Sequence, residues 1–190
     1  SNTILAPQAA MGRSLRLHAG SVLHMASTMG HQTGFLGGVV LPVQWGASVV
    51  YQDVWNPEQF IELVARHRIE ATNGNATFLL DMLRASNLHR HDLSSFRVFR
   101  LGGGPIPRSL VRGALEKLPG VTILRGWGQT ENGVVTLTRH ADPQAKLVAT
   151  DGCAQPGMAI RVVDQENRPL ACGTEGRLQC QGPFQFVGYL

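Results

Sequence analysis

Six consecutive residues, Gly126-Trp127-Gly128-Gln129-Thr130-Glu131, hold the residue types that phosphate chemistry uses. Glycine lets a backbone approach a ligand closely, a threonine hydroxyl can donate to a phosphate oxygen, and a glutamate supplies the hard oxygen that Mg²⁺ prefers. The apolar run Val121-Thr122-Ile123-Leu124 precedes them and reads as a strand. The same six letters also read as a glycine-rich turn opening a helix. Thr130 is then an N-cap, and Glu131 an exposed acid favoured by the helix dipole.

Two further segments stand at compatible spacing. Leu101-Gly102-Gly103-Gly104-Pro105-Ile106-Pro107 follows the strand-like Phe96–Arg100 and leads into a helix primed by Pro107. Three glycines at the carboxyl end of a strand place an open crevice where α/β sheets bind ligands. The third segment runs Thr174-Glu175-Gly176-Arg177-Leu178-Gln179-Cys180-Gln181-Gly182-Pro183 and on to Gly188-Tyr189-Leu190. In this order the three resemble the adenylate-forming superfamily of acyl-CoA synthetases, luciferases and peptide-synthetase adenylation domains. Its Tyr/Trp-Gly-x-Thr-Glu motif matches Trp127-Gly128-Gln129-Thr130-Glu131. Its Gly-Gly-Ala-Pro-like turn matches Gly102-Gly103-Gly104-Pro105, and its Gly-Glu-Leu…Gly…Gly-Tyr segment matches Glu175-Gly176-Arg177-Leu178…Gly182…Gly188-Tyr189.

The resemblance implies a carboxylate joined to the α-phosphorus of ATP with loss of pyrophosphate, then capture of the acyl group by coenzyme A. It implies Thr130 and Glu131 as catalytic residues, with Glu131 the Mg²⁺ ligand. It implies a nucleotide held by Gly103, Gly104, Pro105, Arg125, Gly126, Trp127, Gly128, Gln129 and Thr130. The acyl pocket is then lined by Met29, His31, Phe35, Gly102 and Val134; His31-x-x-Gly34 is similar to the family's Pro-x-x-His-x-x-Gly stretch without its proline. Taken alone, His31 reads equally as a structural residue and Trp127 as core packing. Amino-acid-activating relatives place an aspartate near Met25–Gly34 to hold an ammonium group, and none stands there. An uncharged apolar acid, cyclic or of medium length, is therefore expected; the likeness is to cyclohexanecarboxylate-type and medium-chain acyl-CoA ligases. The family's Pro-Lys-Gly phosphate loop, ribose-binding aspartate and catalytic lysine have no match. The chain is expected to be an internal part of a longer ligase, inactive alone and missing N- and C-terminal parts of the same protein. Two other readings are an adenylation module that loads a carrier protein, and a non-catalytic nucleotide-binding domain.

Composition sets wider bounds. Among 190 residues, 43% are hydrophobic and 16% charged, as in an ordinary globular protein. A net charge of +4 with no run of basic residues gives no nucleic-acid arm. The stretch from Gly34 to Tyr51 is broken by Pro42, Gln44 and Gly46, too polar for a membrane span. Cys153, Cys172 and Cys180 form no C-x-x-C pair, which suits reduced thiols in a cytoplasmic protein. His89 and His91 have no third ligand near them in sequence and read as surface residues.

These residues need a scaffold. Ser1-Asn2 looks like a tag remnant, and residues 1–17 read as a loosely ordered lead-in or marginal helix. Strands are expected at 21–26, 47–51, 71–75, 97–101 and 122–125, alternating with helices at 33–44, 57–68, 77–85 and 108–118. In the second of these helices Phe60, Ile61, Leu63, Val64 and His67 form an amphipathic stripe. That rhythm gives an α/β fold: a mostly parallel five-stranded sheet with flanking helices over 18–141. An antiparallel β segment over 142–190, part of a small β-barrel subdomain, follows.

Overall fold

The computed structural model describes residues 2–189. Five parallel strands form at the expected places: β1 (Val22–Met25), β2 (Ser48–Tyr51), β3 (Ala71–Gly74), β4 (Val98–Leu101) and β5 (Thr122–Gln129). Two antiparallel strands, β6 (Gly133–Leu137) and β7 (Cys153–Ala154), extend the sheet to the order β2-β1-β3-β4-β5-β6-β7. The order reverses at β1 and β3, so their carboxyl ends diverge and leave a crevice. A separate antiparallel pair, β8 (Ala159–Val163) and β9 (Arg177–Gln181), follows.

Both faces of the sheet are covered. On one lie α4 (Pro57–His67), α5 (Ala76–Arg84) and α6 (Arg108–Lys117). Their Phe60, Ile61, Val64, Leu79, Met82 and Val111 pack against Phe99, Leu101 and Ile123 of the strands. His67 falls outside the buried stripe. Local chemistry starts these helices: Asn56 and Asn75 accept from the backbone N–H groups of Gln59 and Phe78, and Pro57 occupies the first turn of α4. On the other face, α1 (Asn2–Ser14) and α3 (Leu41–Trp45) bury Met11 and Leu41 against Val98 and Leu124.

The lead-in, expected as a loosely ordered segment or marginal helix, forms helix α1. Its sequence is poor in periodic leucines because small residues, not large ones, let it lie close to the helix beneath. Trp45 Nε1 donates to the Gln8 carbonyl, and the His140 ring bridges Ser14 O and Thr122 Oγ1 at 2.8 and 3.1 Å. The boundary expected at 142 also moves. Helix α7 (Gln144–Ala149) puts Val148 into the main core, and β7 pairs with β6, so residues through 154 build the large sheet.

The helix expected at 33–44 is helical but not uniform. It runs as α2 (Gln32–Phe35), a π-helical turn (Leu36–Val40) and α3, which ends at Gly46 in the left-handed conformation. Pro42 has no N–H to give the Gly38 carbonyl, and Tyr51 Oη donates to that oxygen at 2.6 Å instead.

His24 on β1 is buried against Trp55 and Phe60. Thr72 Oγ1 donates to the His24 carbonyl and so receives Nδ1–H, leaving Nε2 without a partner. Burial pushes the His24 pKa down from 6.5 to about 4, with the Gln52 side chain pulling weakly the other way. The unfolded chain thus takes up a proton that the folded chain refuses. Stability should be level above pH 6.5 and fall by about 3 kcal/mol towards pH 4. Denaturant melts between pH 7 and 5 should show this slope, and His24→Leu should flatten it.

Candidate functional site

β4 and β5 pair in parallel with Leu101 opposite Arg125, so both strands release their glycine segments at the same edge of the sheet. Between those tips lies an open cleft of ≈ 610 Å³. Gly103, Gly104 and Pro105 form one wall; Gly126 to Glu131 form the opposite wall, and His31 and Val134 complete the rim. A Cβ at Gly103 or Gly104 would meet no atom within 4 Å, so that loop faces open space.

The second wall is a hairpin and not the start of a helix. β5 runs on to Gln129, turns through Thr130–Asn132, and returns as β6 with a register shift at Trp127/Gly128. Asn132 Oδ1 accepts from the Gln129 N–H across that turn. The helix-cap reading of Thr130 is therefore excluded. Gly128 answers first to this hairpin: a Cβ there would lie 1.9 Å from the Gly133 carbonyl oxygen. Gly128→Ala should lower Tm by roughly 5–10 °C, because the strands must part to admit a methyl group. A thermal melt by circular dichroism checks this.

Thr130 is exposed at the turn, and Gln32 Nε2 of α2 donates to its carbonyl at 3.1 Å, joining the two sides of the rim. Glu131 accepts a short hydrogen bond from Tyr189 Oη, while its carbonyl accepts from the Phe186 N–H at 2.7 Å. The Tyr189 bond holds the Glu131 carboxyl below its ordinary pKa and raises that of the tyrosine. His31 caps α2, its Nδ1 accepting from the Thr33 N–H at 3.2 Å; the proton then resides on Nε2. Trp127 has both fates foreseen for it, lining the cleft and packing beside Met158 and Phe184.

Four expected residues stand elsewhere. Met29 and Phe35 are exposed and do not line the cleft, and Gly102 lies beneath the Arg100 guanidinium. The Arg125 side chain turns away from the cleft towards α7. It donates to the Val148 carbonyl, and its Nη2 pairs with Asp151 Oδ1 at 3.0 Å. Sequence reasoning missed Gln32, Thr33, Arg100 and Asp151, which line the cleft from α2, from β4 and from the segment after α7. Among the described residues no three His, Cys, Asp or Glu side chains cluster as a metal site. His89 and His91 are exposed.

The model of the AMP-binding enzyme family matches residues 2–190. The chain belongs to this family. It is similar to the medium-chain fatty-acid–CoA ligase of Escherichia coli K12, at 34% identity over 99% of the chain and 33% of that protein. It is also 31% identical to pyochelin synthase PchD of Pseudomonas aeruginosa, over 80% of the chain and 28% of that protein. The ATP-bound crystal structure of MatB from Rhodopseudomonas palustris shares the fold, with a TM-score of 0.91 at 23% identity over 99% of the chain and 37% of that one. The chain thus spans about a third of the length of the curated relatives it matches. Tyr189→Phe should return the Glu131 carboxyl towards its ordinary pKa. A ¹³C-detected titration of Glu131 reads that shift.

Proposed function

We propose that this chain is the middle part of an ATP-dependent carboxylic acid–CoA ligase. The observation that carries this reading is the pairing of two glycine-lined strand tips around one cleft, with Thr130 and Glu131 on its wall. A purine would lie between the Gly103–Pro105 backbone and Gly126–Trp127, where two flat walls exclude water from its faces. The α-phosphate would receive the Thr130 hydroxyl.

Glu131 suits Mg²⁺. An accessible carboxylate held ionised, outside any cluster of three His, Cys, Asp or Glu among the described residues, fits an ion that keeps waters and takes its other ligands from phosphate. When bound, Mg²⁺ would neutralise the charge that builds as carboxylate attacks phosphate. His31 Nε2–H is a donor on the α2 rim open to an incoming carboxylate. Arg125 acts through Asp151, fixing that acid at the cleft edge.

The chain's two lysines are committed elsewhere. Lys117 Nζ donates to the Leu83 carbonyl, and Lys146 pairs with Asp142. A lysine for the transition state would then come from other parts of the longer protein, and these 190 residues alone should adenylate nothing. The similarity to a medium-chain ligase supports an acid of moderate length, and β8–β9 read as part of a small barrel. The similarity to a pyochelin synthase keeps a second reading open, an adenylation module that loads a carrier protein. The acceptor thiol in a full-length reaction, coenzyme A or a carrier's, separates the two.

Pyrophosphate release by the longer protein, measured over a panel of acids, tests the proposal. Glu131→Gln should cost about 10²-fold or more in kcat with the fold intact. Unchanged Mg²⁺-dependent turnover would remove Glu131 from the metal site, and no release with any acid would overturn the reading.

A further inference from the structure

Arg100 is a buried cation without a partner. It lies mid-sheet on β4 with Asn73 of β3 and Leu124 of β5 as its register neighbours, and only 8% of it is exposed. Among the described residues its side chain makes no hydrogen bond or ion pair, and its Nε is sealed from solvent with nothing to donate to. Asn73, beside it, has an equally unpartnered Oδ1. Burial alone lowers the Arg100 pKa to about 10, so the group stays charged at neutral pH. A desolvated guanidinium with no counter-charge costs several kcal/mol, a cost that an anion entering the site would remove.

The space beside it has a definite shape. Arg100 lines both the outer cleft and a small inner pocket of ≈ 50 Å³ that reaches in between α1 and α2. Gln8, Gln32, Thr33 and Asn73 give that pocket polar walls, and no acidic residue lines it. None of its walls comes from Gly103–Pro105 or from Gly126–Glu131, the segments assigned to the nucleotide. The guanidinium folds back over Gly102, where a Cβ would lie 2.7 Å from Nη2. The first glycine of the loop is thereby the residue that makes room for the charge.

We propose that Arg100 binds a second carboxylate of the acid substrate, so that the acid activated here is a dicarboxylate. This rests on the ligase reading given above and replaces the uncharged acid expected from sequence. The reacting carboxylate is a poor occupant: fixed against a guanidinium inside the inner pocket, it would be held away from the Thr130 wall and less able to attack. A phosphate held by the nucleotide's segments would meet Arg100 only from the outer cleft, and it would leave the inner pocket, which those segments do not line, unfilled. A carboxylate at the far end of the acid satisfies both conditions, and a guanidinium offers it two parallel donors.

The test uses the full-length protein that contains this chain. Calorimetry without ATP compares succinate, glutarate and adipate with butyrate, pentanoate and hexanoate, and with sulfate. Pyrophosphate release then gives kcat/KM for each acid. The wild type should prefer at least one dicarboxylate over its monocarboxylate of equal length. R100L should lower that ratio about 100-fold and R100K by less. Ligand-free R100L should also melt higher than wild type, because an unpaired buried charge is gone; a purely structural arginine would give a lower Tm.

Equal losses for both acid classes, an unchanged ratio, or sulfate binding as tightly as any dicarboxylate would each overturn the proposal. Dicarboxylate binding through Arg100 with no pyrophosphate release from any acid would sustain this site and overturn the ligase reading. Release with monocarboxylates and an unchanged R100L ratio would do the reverse.

Discussion

The parallel pairing of β4 with β5 is the constraint on which the rest of the molecule depends. With Leu101 opposite Arg125, each strand ends in its glycine segment at the same height, and the two tips face one another across a gap. A slip of one residue would turn the apolar Phe99, Leu101 and Ile123 off the α4–α6 face and carry the Thr130 wall away from the Gly103 loop. The helices secure this register from both sides. They bury Phe99, Leu101 and Ile123 on one face, and Val98 and Leu124 on the other.

The two cleft arginines show how the same residue serves different ends one strand apart. Arg125 is turned into the structure, spans β5 to α7, and holds Asp151 at the rim. Arg100 is as deeply buried yet meets neither acid nor carbonyl. The glycines divide in the same way. Gly128 yields to the β6 backbone, Gly102 yields to a guanidinium, and Gly103 and Gly104 are left bare towards the cleft. A glycine-rich motif is thus several separate requirements written in one letter.

Short strands between capped amphipathic helices were legible in the sequence, because burial of the sheet on both faces favours apolar and small residues between the helical stripes. All five parallel strands lie within a residue or two of their expected places, though β5 runs four residues further, to Gln129. β6 and β7 were not legible: β7 is two residues long, and the places of both are set by pairing with a strand already in the sheet. Helix α1 was obscured because its contacts rely on Ala10, Met11 and a tryptophan 34 residues beyond, which leave no strong period. At the site, motif residues carried their own signal, so the two walls were found. Arg100, Gln32 and Asp151 come from three elements and meet only in the fold; Arg100 sits inside an apolar strand, where an arginine reads as surface. Met29 and Phe35 misled because apolar residues after a strand end suit either a pocket or an exposed helix face.

The central claim, that both strand tips contact one nucleotide, is tested most directly by amide chemical shifts of the isotope-labelled chain titrated with Mg²⁺–ATP. Gly103, Gly104, Gly126, Gly128 and Thr130 should shift together along a single binding curve. Shifts confined to one tip, or centred on another part of the molecule, would contradict it.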